Sequence, residues 1–183
     1  TQSGAKNSDL QVTQSGTSQT STVTQQNSNG LTATVTQKVS GNISDIVQTG
    51  ITSNSNTTVS QDGIGNKSDV RQQGGYSKDV KITQKGDGNI SDANQTLGNN
   101  SNIYVNQNGN TNISNATQSQ SAQESTIDVK QTGDTNLSNA SQSGTKNSFV
   151  NVTQTGNGND SLATQNGNNN TMTIKQRNLK SIF

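Results

Sequence analysis

Apolar residues in this chain come in pairs two positions apart, each pair closed by a glutamine two positions further on. Leu10 and Val12 lead to Gln14, Val80 and Ile82 to Gln84, Ile103 and Val105 to Gln107. Ile127 and Val129 lead to Gln131, Val150 and Val152 to Gln154, Met172 and Ile174 to Gln176. In two segments the first member shrinks, leaving Val35 before Gln37 and Val59 before Gln61. Period-two alternation predicts β-strands with these side chains on one face and a solvated face of Thr, Asp, Lys, Asn and Ser on the other.

Between these strands the chain writes a second kind with smaller inward residues. Asn42, Ser44, Ile46, Gln48 returns as Asn66, Ser68, Val70, Gln72. With alanine in third place it recurs from Asn89 to Gln95, Asn112 to Gln118, Asn136 to Gln142 and Asn159 to Gln165. Gln19, Ser21, Val23 and Gln25 open the series with glutamine where the others have asparagine. A β-branched column facing a Ser/Ala column predicts a thin two-layer core, about 10 Å across.

The glutamines from Gln2 to Gln176 follow one another at 11 to 13 residues. Two intervals make a unit of 23 or 24 residues, starting near 2, 25, 48, 72, 95, 118, 142 and 165. This predicts one repeat domain over 1–183, with a tail at 177–183. The arms from Gln48 to Gln61 and from Gln118 to Gln131 carry one extra residue, which is expected to weaken the stack there. Glycine stands two places after the glutamine in most intervals, with Asn27, Val39, Leu97, Gln120 and Asn178 as exceptions. Such Gly- and Asn-rich points mark chain reversals.

Composition changes this picture less than it first suggests. With 22% hydrophobic and 2% aromatic residues the chain has the make-up of a disordered segment, yet disorder has no reason to keep a period. A net charge of +1 offers no electrostatic footprint for nucleic acid or an anionic membrane. No run approaches the roughly 18 apolar residues of a membrane span, and no secretion signal is legible from Thr1 onward. Histidine and cysteine are absent, and no Ser, Thr or carboxylate is set apart from the repeat, so no catalytic, metal or cofactor site is expected. Asp and Asn in bends such as 157–160 read as turn formers rather than calcium ligands.

A strand-bend-strand unit cannot bury its own face and must lie on its neighbour. The expected fold is all-β: a two-sheet parallel β-solenoid of about eight strand-turn-strand rungs, spaced about 4.8 Å apart. Identical side chains then lie above one another, and buried amides can pass N–H to C=O along the column. The columns are Gln14, Gln25, Gln37, Gln48, Gln61, Gln72, Gln84, Gln95, Gln107, Gln118, Gln131, Gln142, Gln154, Gln165 and Gln176, with Asn42, Asn66, Asn89, Asn112, Asn136 and Asn159. No cap is recognisable over the end rungs, so they are expected to template further copies end to end as cross-β amyloid. The tail 177–183 of one copy and the stub Thr1-Gln2 of the next are expected to complete a shared rung.

At this point the residues resemble a known family. Ser101, Gln107, Gly109, Asn112, Ser114, Gln118, and again Ser148, Gln154, Gly156, Asn159, Ser161, Gln165, are similar to the curlin repeat of bacterial curli fibres. Departures are Gln19 for the asparagine, Lys78 where Ser stands elsewhere, and Gln120 for a glycine. The resemblance implies a secreted, extracellular subunit of a functional amyloid that self-polymerises at the bacterial cell surface for biofilm matrix and adhesion. Its implied partners are further copies, a nucleator, and secretion and chaperone proteins. The regular repeat favours the major subunit, whereas the basic tail with Arg177 and Lys180 is similar to a nucleator. The rival reading is a soluble solenoid displaying an outward Thr/Asn array, as ice-binding proteins do, through Thr13, Thr24, Thr36, Thr83, Thr117, Thr153 and Thr164. Arg71, Lys130 and Lys175 interrupt the same positions.

Overall fold

The structure, a computed structural model, describes residues 1–50, 54–120 and 122–178. Sixteen strands and no helix occur among them, and the strands alternate between two parallel eight-stranded sheets. The first sheet takes β1 (Gln2–Ser3), β3 (Thr20–Gln26), β5 (Ile43–Thr49), β7 (Lys67–Gln73), β9 (Ile90–Thr96), β11 (Ile113–Ser119), β13 (Leu137–Ser143) and β15 (Asp160–Asn166). The second takes β2 (Asp9–Thr17), β4 (Leu31–Ser40), β6 (Ser55–Ile64), β8 (Asp79–Lys85), β10 (Asn102–Asn108), β12 (Thr126–Thr132), β14 (Phe149–Thr155) and β16 (Thr171–Arg177). This is the expected two-sheet parallel β-solenoid, with seven full turns and the two-residue β1 as a partial eighth.

Register follows the repeat. Gln84 pairs with Gln107 and Gln107 with Gln131, and the apolar pairs stack likewise, Val80 on Ile103 on Ile127. Inward residues from both sheets meet in one core. Val35, Val59, Val80, Ile82, Ile103, Val105, Ile127, Val129, Val150 and Val152 are buried there against Ile46, Val70 and the alanines of the first sheet.

Four of the expected core residues are not enclosed. Leu10, Met172 and Ile174 are only partly buried, and Val12 is 41% exposed. They lie on β2 and β16, the edge strands of the second sheet, which have a neighbour on one side only. Leu31, fully buried at the head of β4, belongs to the core although it falls outside the alternating pairs. The outer face is also less polar than expected: Ile43, Ile90 and Ile113 line up on the outside of the first sheet, and Leu162 is exposed.

The bends explain why irregular arms do not break the stack. Asn27, Leu97 and Gln120 take the left-handed conformation that glycine adopts in the other turns, at φ 51°, 54° and 52°. Val39 does so at φ 79°, a strained setting for a β-branched residue. In the arm after Gln118 the extra residue is absorbed before Gln123, which is back in register with Asn99 and Lys146. Across both long arms the glutamine ladder stays continuous: Gln37 to Gln61 and Gln107 to Gln131 are bonded at 2.8 and 3.0 Å. The shared rung expected from the tail depends on residues 179–183, which lie outside the described residues.

Candidate functional site

Inward parity and matching register bring the glutamines of each sheet into one file. In both files every Nε2 donates to the Oε1 of the glutamine one turn later, at 2.7–3.0 Å, from Gln2 to Gln165 in the first sheet and from Gln14 to Gln176 in the second. In the second file the remaining Nε2 hydrogens cross to the first sheet. Gln84, Gln107, Gln131 and Gln154 donate to the carbonyls of Lys67, Ile90, Ile113 and Leu137 at 2.8–3.0 Å. Each file thus satisfies its own amides and ties the two sheets together where burial would otherwise be costly. Gln25 through Gln165 are buried, while Gln14 is exposed and Gln176 partly so because they sit on edge strands.

The asparagine file runs the other way. Asn66, Asn89, Asn112, Asn136 and Asn159 each donate Nδ2 to the Oδ1 of the asparagine one turn earlier, at 2.8–3.1 Å. The same oxygens accept the backbone N–H of the later residue. Gln19 stands at the head of this file but outside it, bonding Ser15 O at 2.8 Å. Nothing in residue spacing reveals that the two kinds of amide point in opposite directions along the axis.

Bend carboxylates and amides are spent on backbone. Asn110 N donates to Asp134 Oδ1 and Asp134 N to Asn157 Oδ1, at 2.8 and 2.9 Å. That use fits the reading of these residues as turn formers. Among the described residues no group of three His, Cys, Asp or Glu is placed to hold a metal. On the outer face of the first sheet, partial burial raises the Asp92 carboxyl pKa. Asp69 adds to that shift, while Arg71 and Lys67 oppose it. Thr13, Thr36, Thr83 and Thr153 lie on the second sheet, whereas Thr24, Thr117 and Thr164 lie on the first, so the threonines divide between opposite faces.

Two inward features have no satisfied counterpart in the ladders. The hydroxyls of Ser21, Ser44, Ser68, Ser91, Ser114, Ser138 and Ser161, stacked in register on the first sheet, are buried without a protein hydrogen-bond partner. An unpartnered buried hydroxyl costs free energy, so Ser114→Ala should raise stability by about 1 kcal/mol, read as a higher denaturant midpoint. A loss of stability of that size would mean the hydroxyl is bonded. The second feature is Lys78, fully buried in the bend between β7 and β8, its ammonium on the carbonyls of Gln73 and Gln95 at 2.8 and 3.3 Å. Burial lowers its pKa to about 8.

A family model described as the curlin associated repeat matches residues 146–177. That stretch holds β14, β15 and β16. Comparison with curated proteins and with solved structures returns no match.

Proposed function

Starting from the chain as a curlin-repeat protein, we propose that it is the structural subunit of an extracellular, curli-type amyloid fibre, adding copy upon copy along the solenoid axis. One observation carries this reading: every turn presents the same glutamine ladders to the next, so the glutamines at either end are of the same kind as those joining the turns inside. The ladders also give addition a direction. Gln165 and Gln176 can donate onward to the Oε1 of Gln2 and Gln14 of a following copy, which continues both files only when copies stack head to tail. Head-to-head stacking would oppose acceptor to acceptor and lose the bonds.

The near-identical turns suit a bulk fibre component, and the implied setting is the cell-surface matrix, where such a fibre contributes cohesion and adhesion. A nucleating subunit and export machinery would be its natural partners. The division of the threonines between two faces gives the ice-binding alternative no flat array to work with.

The test is a thioflavin-fluorescence time course on freshly desalted, denaturant-unfolded protein, with and without sonicated fragments of its own product. A lag that the fragments abolish is the expected result. A stable β-rich monomer that neither gains fluorescence nor responds to fragments would overturn the proposal.

A further inference from the structure

The column six positions before the long-arm glutamines reads Ser8, Leu31, Ser55, Lys78, Ser101, Ser125, Ser148 and Asn170. At four turns the small hydroxyl folds back onto its own bend, as Ser101 Oγ does on Asn99 O at 3.1 Å and Ser125 Oγ on Gln123 O at 2.8 Å. Lys78 puts a four-carbon stem and an amine into the same place, with no exposed surface. Its backbone N–H is held by Ser55 Oγ at 3.0 Å and its carbonyl accepts from Gln72 Nε2 at 3.2 Å, so its backbone is built into the ladder, and the side chain leaves its place only by giving up its bonds to Gln73 O and Gln95 O.

Among the described residues no counter-charge faces the amine. Its own bend, 74–78, contributes only the phenol of Tyr76, the bend of the next turn, 97–101, contains no titratable residue, and the sequence from 50 to 54 has none either. The charged residues of the packed strands stand on the outer faces by strand parity: Asp45 on β5; Lys67, Asp69 and Arg71 on β7; Asp79 and Lys81 on β8; Asp92 on β9. Asp62 and Lys85 also lie outside the buried file. Among the described residues, two backbone carbonyls accept from the ammonium. A buried cation with dipoles but no anion around it disfavours its own protonated form.

We propose that Lys78 is a pH-operated gate on closing the central turn of the solenoid: the turn closes readily with Lys78 as a neutral amine and reluctantly with it as an ammonium ion. The proton lost on closure goes to solvent, and no other bond changes. The direction of the pH effect follows from the two end states. Unfolded, the side chain keeps its proton up to about 10.5, the ordinary lysine value; folded, it releases it near about 8. Between those limits the unfolded chain binds more protons, so stability rises with pH across the window. Below about 8 both states are protonated and the penalty is present in full and constant.

The experiment compares folding equilibria of the wild type and K78M, an uncharged side chain of similar length, by denaturant titration from acid to strongly alkaline pH. Taking the ratio of the two proteins cancels every other titrating group. That ratio should rise on the order of 100-fold between pH about 7 and about 10.5 in favour of the wild type. A ratio that stays level overturns the proposal. Should K78M fail to fold, K78S, which restores the residue of the column, takes its place in the same comparison. An independent reading on the unmodified chain is the 15N resonance of the lysine Nζ atoms. A midpoint near 8 assigned to Lys78 supports the gate, and the absence of any midpoint below about 9.5 overturns it.

Discussion

Gln107→Ala is expected to lower the stability of the folded chain by about 3–5 kcal/mol. Gln107 is fully buried in the middle of the second sheet and joins four partners at once. It accepts from Gln84 Nε2 at 2.9 Å, donates one Nε2 hydrogen to Gln131 Oε1 at 3.0 Å and shares the other between Ile90 O at 2.9 Å and Asn112 O at 3.0 Å. Truncation leaves Gln84 Nε2–H and Gln131 Oε1 without their ladder partner, and opens a cavity that a rigid, register-locked stack cannot collapse. The measurement is the free energy of unfolding by denaturant. Gln14→Ala is the matched control, because Gln14 is exposed and makes one ladder bond, to Gln37 at 2.7 Å. It should cost about 1 kcal/mol or less in the isolated chain. If copies add head to tail, the same substitution should slow seeded extension far more than its effect on stability suggests. Equal losses for the two alanines would mean that the ladder carries no particular share of the stability.

Much of this architecture was legible because parity and period are strong constraints. Once Val80 and Ile82, then Ile103 and Val105, recur before a glutamine at matched spacing, the strands, their inward faces and the register follow together. Three things did not follow. Parity says which way a side chain points but not whether another strand lies above it, so Val12 and Met172 read like Val105 although only Val105 is enclosed. Hydrogen-bond direction is a property of amide orientation, and residue order is silent on it; the opposed Gln and Asn files emerge only when the bends fix how each amide meets its backbone partners. Lys78 stood out as a departure from the serine column, but that departure alone does not say where its amine goes. The bend geometry, with Ser55 and Gln72 holding its backbone, places it inside. Ile43, Ile90 and Ile113 show the reverse error: parity already set them outward, and the habit of reading outward positions as polar concealed it.

Gly109→Ala should cost about 3–5 kcal/mol, comparable to the loss of a ladder glutamine, although it adds a single methyl group. Gly109 follows β10 at φ 131°, a conformation L-residues seldom adopt, and a Cβ there would lie 2.1 Å from Gly133 O and 2.7 Å from Gly133 C in the next turn. Those are backbone atoms held in place by the stack, since Gly133 N donates to Asn108 O at 2.9 Å and Gly133 O accepts from Asn112 Nδ2 at 2.7 Å. Retreat by Gly109 is blocked in turn, because its own carbonyl accepts from Asn89 Nδ2 at 2.8 Å. The methyl must therefore break either the asparagine file or the backbone pairing at the bend. Gly65→Ala separates this clash from backbone strain alone. Gly65 has φ 66° with nothing within 4 Å of the added Cβ, so only the left-handed penalty of about 1–2 kcal/mol applies. The two alanine variants, compared by denaturant midpoint, should differ clearly, with Gly109→Ala the weaker protein. A similar midpoint for both would mean that successive turns are not stacked this closely at the bends, and that the asparagine file tolerates a displaced carbonyl.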